Sequence, residues 1–138
     1  MLYLFSLNYL VGLFCFLLCA ISGALIGLRF HREDWLGGYQ SFRRRLLRLG
    51  HIAFFGLGFI NIFFALCFDN VLVGLRGEPS AYLAYVASLM LAGGAVTMPL
   101  VCFLSAWKPA FRRVFFIPVI FTTGGIGTGV FLLVFMRG

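Results

Sequence analysis

Two histidines, four cysteines and four methionines are the side chains of this 138-residue chain with the chemistry to hold a metal or a cofactor. His31 follows one long apolar run and His51 opens the next. Two neutral imidazoles on separate helices are enough to ligate a b-type haem, so His51 and His31 form a first candidate site. His51, Met98 and Cys102 form a second, for copper, whose reduced form favours sulfur. A zinc site built from thiols fails on depth: Cys15 and Cys19 fall mid-run, Cys67 and Cys102 near opposite ends of theirs, and four thiolates so spread cannot converge on one tetrahedral ion. All four behave as small hydrophobes and say nothing about redox compartment. No Ser, Thr or Cys has a His or carboxylate at catalytic spacing, and no glycine-rich loop precedes a basic residue as a phosphate site requires. Enzyme activity has little support.

The run from Arg48 to Leu66 is similar in style to helices of haem-bearing respiratory membrane proteins, with a histidine at its mouth and glycine and asparagine below. The likeness covers about one span, includes no exclusive motif and identifies no family. Asn61 lies within this run, where an amide is costly unless paired, and it is expected to bond to another helix or to a ligand. Thr122, Thr123, Gly124, Gly125, Gly127, Thr128 and Gly129 crowd the middle of the last run, and Gly93, Gly94 and Pro99 interrupt the one before. Broken helices at mid-membrane expose backbone carbonyls in several transporters. Glycine and proline also serve packing and kinks in membrane helices generally.

The elements that must carry these residues follow from composition. Apolar residues make up 62% of the chain and charged ones 11%, against roughly a quarter charged in a soluble domain. Four runs, about 3–28, 50–68, 81–106 and 114–136, contain no Asp, Glu, Lys or Arg. Each reaches the ~20 residues a helix needs to cross a bilayer, and continuous apolarity excludes barrel strands. The expected fold is all-α and integral to the membrane, a four-helix up-and-down bundle forming a single domain over 1–138. The absence of ionisable residues from the spans weighs against a proton-coupled transporter or pump.

Arg29, Arg32, Arg43, Arg44, Arg45 and Arg48 lie in the first loop and Lys108, Arg112 and Arg113 in the third, whereas the second holds only Arg76 beside Asp69 and Glu78. The positive-inside rule puts the basic loops in the cytoplasm and both termini outside it, in a membrane such as the bacterial inner membrane. The net charge of +7 then reflects loop retention rather than nucleic-acid binding. The first run lacks a preceding positive residue and is too long for a signal peptide, so it is read as an uncleaved anchor. Trp35 and Trp107 fall at the inner boundary, and Tyr3, Tyr9, Tyr82 and Tyr85 near the outer one. Trp35, Tyr39, Phe42, Leu46 and Leu49 recur at helical spacing while Arg43, Arg44, Arg45 and Arg48 take the other sides. This pattern predicts an amphipathic helix over about 35–49, lying in the interface with its arginines on anionic headgroups, and a turn at Gly50.

Helices in lipid associate through small residues and a few polar contacts. The expected packing positions are Gly12, Cys15, Cys19, Gly23 and Gly27 in the first span, Gly58, Asn61 and Ala65 in the second, Ser88, Ala92 and Ala95 in the third, and Gly125 and Gly129 in the fourth. The remaining surface, rich in the chain's 18 phenylalanines, is left for lipid, a membrane-protein partner or a second copy. The leading functional expectation is a non-catalytic accessory or structural subunit of a membrane complex. The alternatives are a b-type haem or copper protein of respiratory electron transfer, and a small channel or transporter using the glycine and threonine cluster.

Overall fold

The computed structural model describes residues 2–74 and 79–135, with side chains for 7–68 and 79–134. The side chains of Tyr3 and Asp69, and residues Arg76, Glu78 and Met136, lie outside the described residues. The described chain is four helices, α1 (Leu2–Arg29), α2 (Phe42–Gly74), α3 (Pro79–Trp107) and α4 (Phe116–Phe135), with short 3₁₀ turns at Trp35–Gly37 and Pro109–Val114. No strand occurs among the described residues. All four helices are long and apolar enough to cross a membrane, and the chain has the form of a multi-pass membrane protein. The 20 residues of α4 span about 30 Å, the thickness of a hydrocarbon core.

Sequential helices pack on one another, α1 on α2, α2 on α3 and α3 on α4; α1 also touches α3, while α1 and α4 share no extended interface. The 44% buried share of the α3 span against 11% for α1 makes α3 the centre of the bundle and α1 its most lipid-accessible member. The end of α1, the start of α2, the Pro109–Val114 turn and the connections beside them collect nine of the basic residues named above at one end of the bundle. Pro99 sits inside α3 without breaking it. Its ring cannot donate to the carbonyl four residues back.

The basic end departs from the expected interfacial helix. Gly37 and Gly38 take left-handed backbone angles (φ 86° and 92°), and Leu36 does so without being glycine (φ 56°), so no helix can run through 36–38. The helix starts instead after Ser41, whose hydroxyl accepts the Arg44 N–H at 3.2 Å as an N-cap. From Phe42 it continues unbroken through Gly50 into the span. Gly50 does not turn the chain. It admits α3, since a Cβ there would lie 2.9 Å from Phe103 Cε1 and 3.2 Å from Cys102 Cβ. Leu46 and Leu47 are buried with Ala106 rather than facing lipid.

Candidate functional site

His51, one turn beyond Arg48 in α2, faces α1. Its Nδ1 lies 3.0 Å from Ser22 Oγ and 3.7 Å from Cys19 Sγ. Ser22 Oγ also donates to the Cys19 carbonyl at 3.1 Å; with its single proton used there, the consistent arrangement has His51 Nδ1–H donating to Ser22. The imidazole rests on Gly23, where an added Cβ would stand 2.8 Å from Cε1. The ring thus occupies the space that Gly23 leaves on α1. His31 lies exposed beyond the end of α1.

The proposed copper ligands take separate surroundings. Met98 packs against the cluster of Cys15, Leu57 and Ala95. Cys102 is fully buried against Gly50. Adjacent positions of a helix point about 100° apart, so Gly50 addresses α3 while His51 addresses α1. Among the described residues no three His, Cys, Asp or Glu side chains group as a metal would require. The cysteines are free thiols.

Asn61 is fully buried within a cluster of polar side chains. Its Nδ2 donates to the carbonyls of Leu57 at 2.8 Å and Leu91 at 3.2 Å. Its Oδ1 accepts from Asn8 Nδ2 at 2.7 Å. Asn8 donates also to the Ser88 carbonyl at 3.3 Å and accepts from the Ser88 hydroxyl. Asn8, Asn61 and Ser88 are fully buried, so three polar side chains from α1, α2 and α3 satisfy one another where lipid could not. Asn8 is not among the packing positions expected from the sequence. The signal was available: an amide inside an uncharged run has the same need for a partner as Asn61.

The glycine expectations divide. Gly12 and Gly58 let α1 and α2 touch: a Cβ on Gly58 would meet Cys15 Cβ at 2.9 Å and the Gly12 carbonyl at 3.1 Å, and one on Gly12 would overlap Ile62. Ala65 is buried with Phe64 and Phe68. Gly125 receives Leu91 (2.8 Å from its would-be Cβ), and Gly129 faces Phe64 at 3.5 Å. Gly27 does not pack, for a Cβ there meets nothing within 4 Å; the neighbouring Ile26 carries the contact, against Leu46 and Leu47. The cluster of span four lies in a continuous helix. Gly94 of α3 seats Thr122, whose Oγ1 would be 2.6 Å from a Cβ added to that glycine. The Thr122 hydroxyl is buried without a partner.

Arg44 is the largest surprise at the basic end, being 3% exposed rather than directed at headgroups. One Nη donates to the carbonyls of Phe30 (2.8 Å) and Arg32 (3.3 Å). Its guanidinium lies within 5.2 to 5.8 Å of the rings of Trp35, Phe30 and Tyr39. The arginine thus ties the first loop to α2, through backbone dipoles and ring faces instead of a carboxylate. Arg48 stacks on Tyr39 and Arg112 on Phe42. Arg43 and Arg45 remain exposed, as does Trp107, while Trp35 is half-buried. No protein family, curated protein or solved structure matches this chain.

Proposed function

We propose that this protein is a non-catalytic subunit of a membrane complex, docking on a partner through the outer face of α2, with its basic end in the cytoplasm. The observation that carries the reading is a ridge of Ile52, Phe55, Phe59, Phe63 and Leu66, each more than half exposed, spaced to stand in line along one side of the helix. Phe55 stacks on Phe16 (centroids 5.5 Å apart) and Phe59 on Phe63 (6.4 Å), so the ridge is ordered before any partner arrives, which lowers the entropic cost of docking. The strongly polar side chains of the span interior, by contrast, are engaged with one another or with backbone.

A photoreactive phenylalanine analogue at Phe59, in native membranes, is expected to yield one discrete adduct with a different membrane protein. Phe55→Ala with Phe63→Ala should abolish co-purification of that protein in mild detergent. An adduct with a second copy of this chain, or with lipid alone, rejects the reading. A purified, colourless protein without a Soret band is also expected; a band lost in His51→Ala would favour the haem alternative. For orientation, a cysteine at Gln40 should be labelled only from the cytoplasmic side.

A further inference from the structure

The α1–α3 pair, joined at Asn8 and Ser88, encloses a lateral groove farther toward the basic end. A void of about 400 Å³ is bordered by Leu18, Ile21 and Leu25 of α1, with Phe54 and Phe103 beneath. Arg29, Trp35 and Trp107 also line it. A second void of about 510 Å³ continues from it, sharing Leu18 and Phe54 as borders and reaching Leu10 and Val96. Among the described residues the Arg29 side chain makes no hydrogen bond or ion pair, and it is exposed. From Leu18 to Arg29 the first void runs about 16 Å at ~1.5 Å per residue, close to half of the ~30 Å hydrocarbon core. It therefore has the depth of one leaflet, an apolar wall, two indoles at headgroup level and an uncommitted guanidinium at its mouth.

We propose that this groove binds one anionic phospholipid from the leaflet at the basic end, with its phosphodiester on Arg29 and an acyl chain along Leu25, Ile21 and Leu18. Charge complementarity selects the occupant: a planar guanidinium pairs with phosphate oxygens bidentately, and the surrounding basic end disfavours a cationic or second basic partner. A neighbouring protein helix would cover the apolar wall and leave the Arg29 charge without an anion. This inference is independent of the α2 ridge, which lies outside the groove.

The two indoles provide the test. With Trp35 as sole fluorophore after Trp107→Phe, the protein is reconstituted in vesicles mixing unlabelled phosphatidylcholine with brominated-chain phosphatidylglycerol or brominated-chain phosphatidylcholine. Quenching is expected to show about a fivefold preference for the anionic lipid, the contribution of one basic side chain near a headgroup. Arg29→Gln should remove the preference, Arg29→Lys should keep most of it, and Arg32→Gln, at an exposed neighbour, should leave it unchanged. Soluble glycerol 3-phosphate should not compete. The proposal is overturned by equal quenching from both lipids in the parent protein, by a preference that survives Arg29→Gln, or by an equal loss in Arg32→Gln. Displacement by glycerol 3-phosphate would reduce the site to an anion site and overturn the chain-binding part. Absence of quenching by either lipid likewise overturns it, since no acyl chain then reaches the groove.

Discussion

The two seams of the bundle are held by different physics. Where α1 meets α2 and α3, Asn8, Asn61 and Ser88 exchange hydrogen bonds among three helices. Where α3 meets α4, Gly94 and Gly125 accept Thr122 and Leu91 at closest approach, and the buried Thr122 hydroxyl goes unpaired. The first seam adds direction to the close approach at Gly12 and Gly58, since an amide must find its partner; the second is specified by shape, since only a missing Cβ admits the neighbour. Lipid makes both necessary, because hiding apolar surface from hydrocarbon supplies little drive for association.

Five substitutions break or sharpen the contrast. Gly94→Leu should have the largest effect, costing about 3 kcal/mol, because its branched chain must push back the Thr122 backbone, 3.4 to 3.5 Å from the first added carbon. The midpoint of SDS-induced loss of helicity, followed by circular dichroism, measures it. Asn61→Ala removes two donated bonds and one accepted bond, and at ~0.6 kcal/mol per bond in membrane proteins should cost about 1–2 kcal/mol. A double-mutant cycle with Asn8→Ala should then recover a coupling of the order of one such bond. Thr122→Val should be neutral or slightly stabilising, within about 0.5 kcal/mol, since the lost hydroxyl has no partner; a large loss would reveal a direction-specified seam where shape was inferred. Gly27→Ala, facing open space, should shift the same midpoint least, with helix propensity favouring alanine.

Outside the seams, Arg44→Ala tests the basic end. It leaves the Phe30 and Arg32 carbonyls without their donor and is expected to cost about 2 kcal/mol and to expose the 30–41 segment to protease, while Arg43→Ala, at an exposed position, leaves both unchanged.

What the sequence made legible was additive along the chain. Four uncharged runs and a clumped set of arginines predicted four long helices and a basic end because transfer into hydrocarbon sums residue by residue. The small positions Gly12, Gly58, Gly125 and the amide Asn61 were also found, since lipid leaves helices few other means of contact. The helix expected over 35–49 was overestimated because its periodicity outweighed the Gly37-Gly38 stop and the Ser41 cap, both written in the sequence.

Which faces would meet was decided only in three dimensions. That Asn8 reaches Asn61 and Ser88, that His51 sits on Gly23 while its neighbour Gly50 admits Cys102 and Phe103, and that Arg44 turns inward to two carbonyls all depend on the rotation and crossing of whole helices. A run of apolar residues sets how deep a helix lies. The register between helices follows from contacts that tolerate shifts of only a few tenths of an ångström between residues far apart in the chain, and hydropathy carries no record of them.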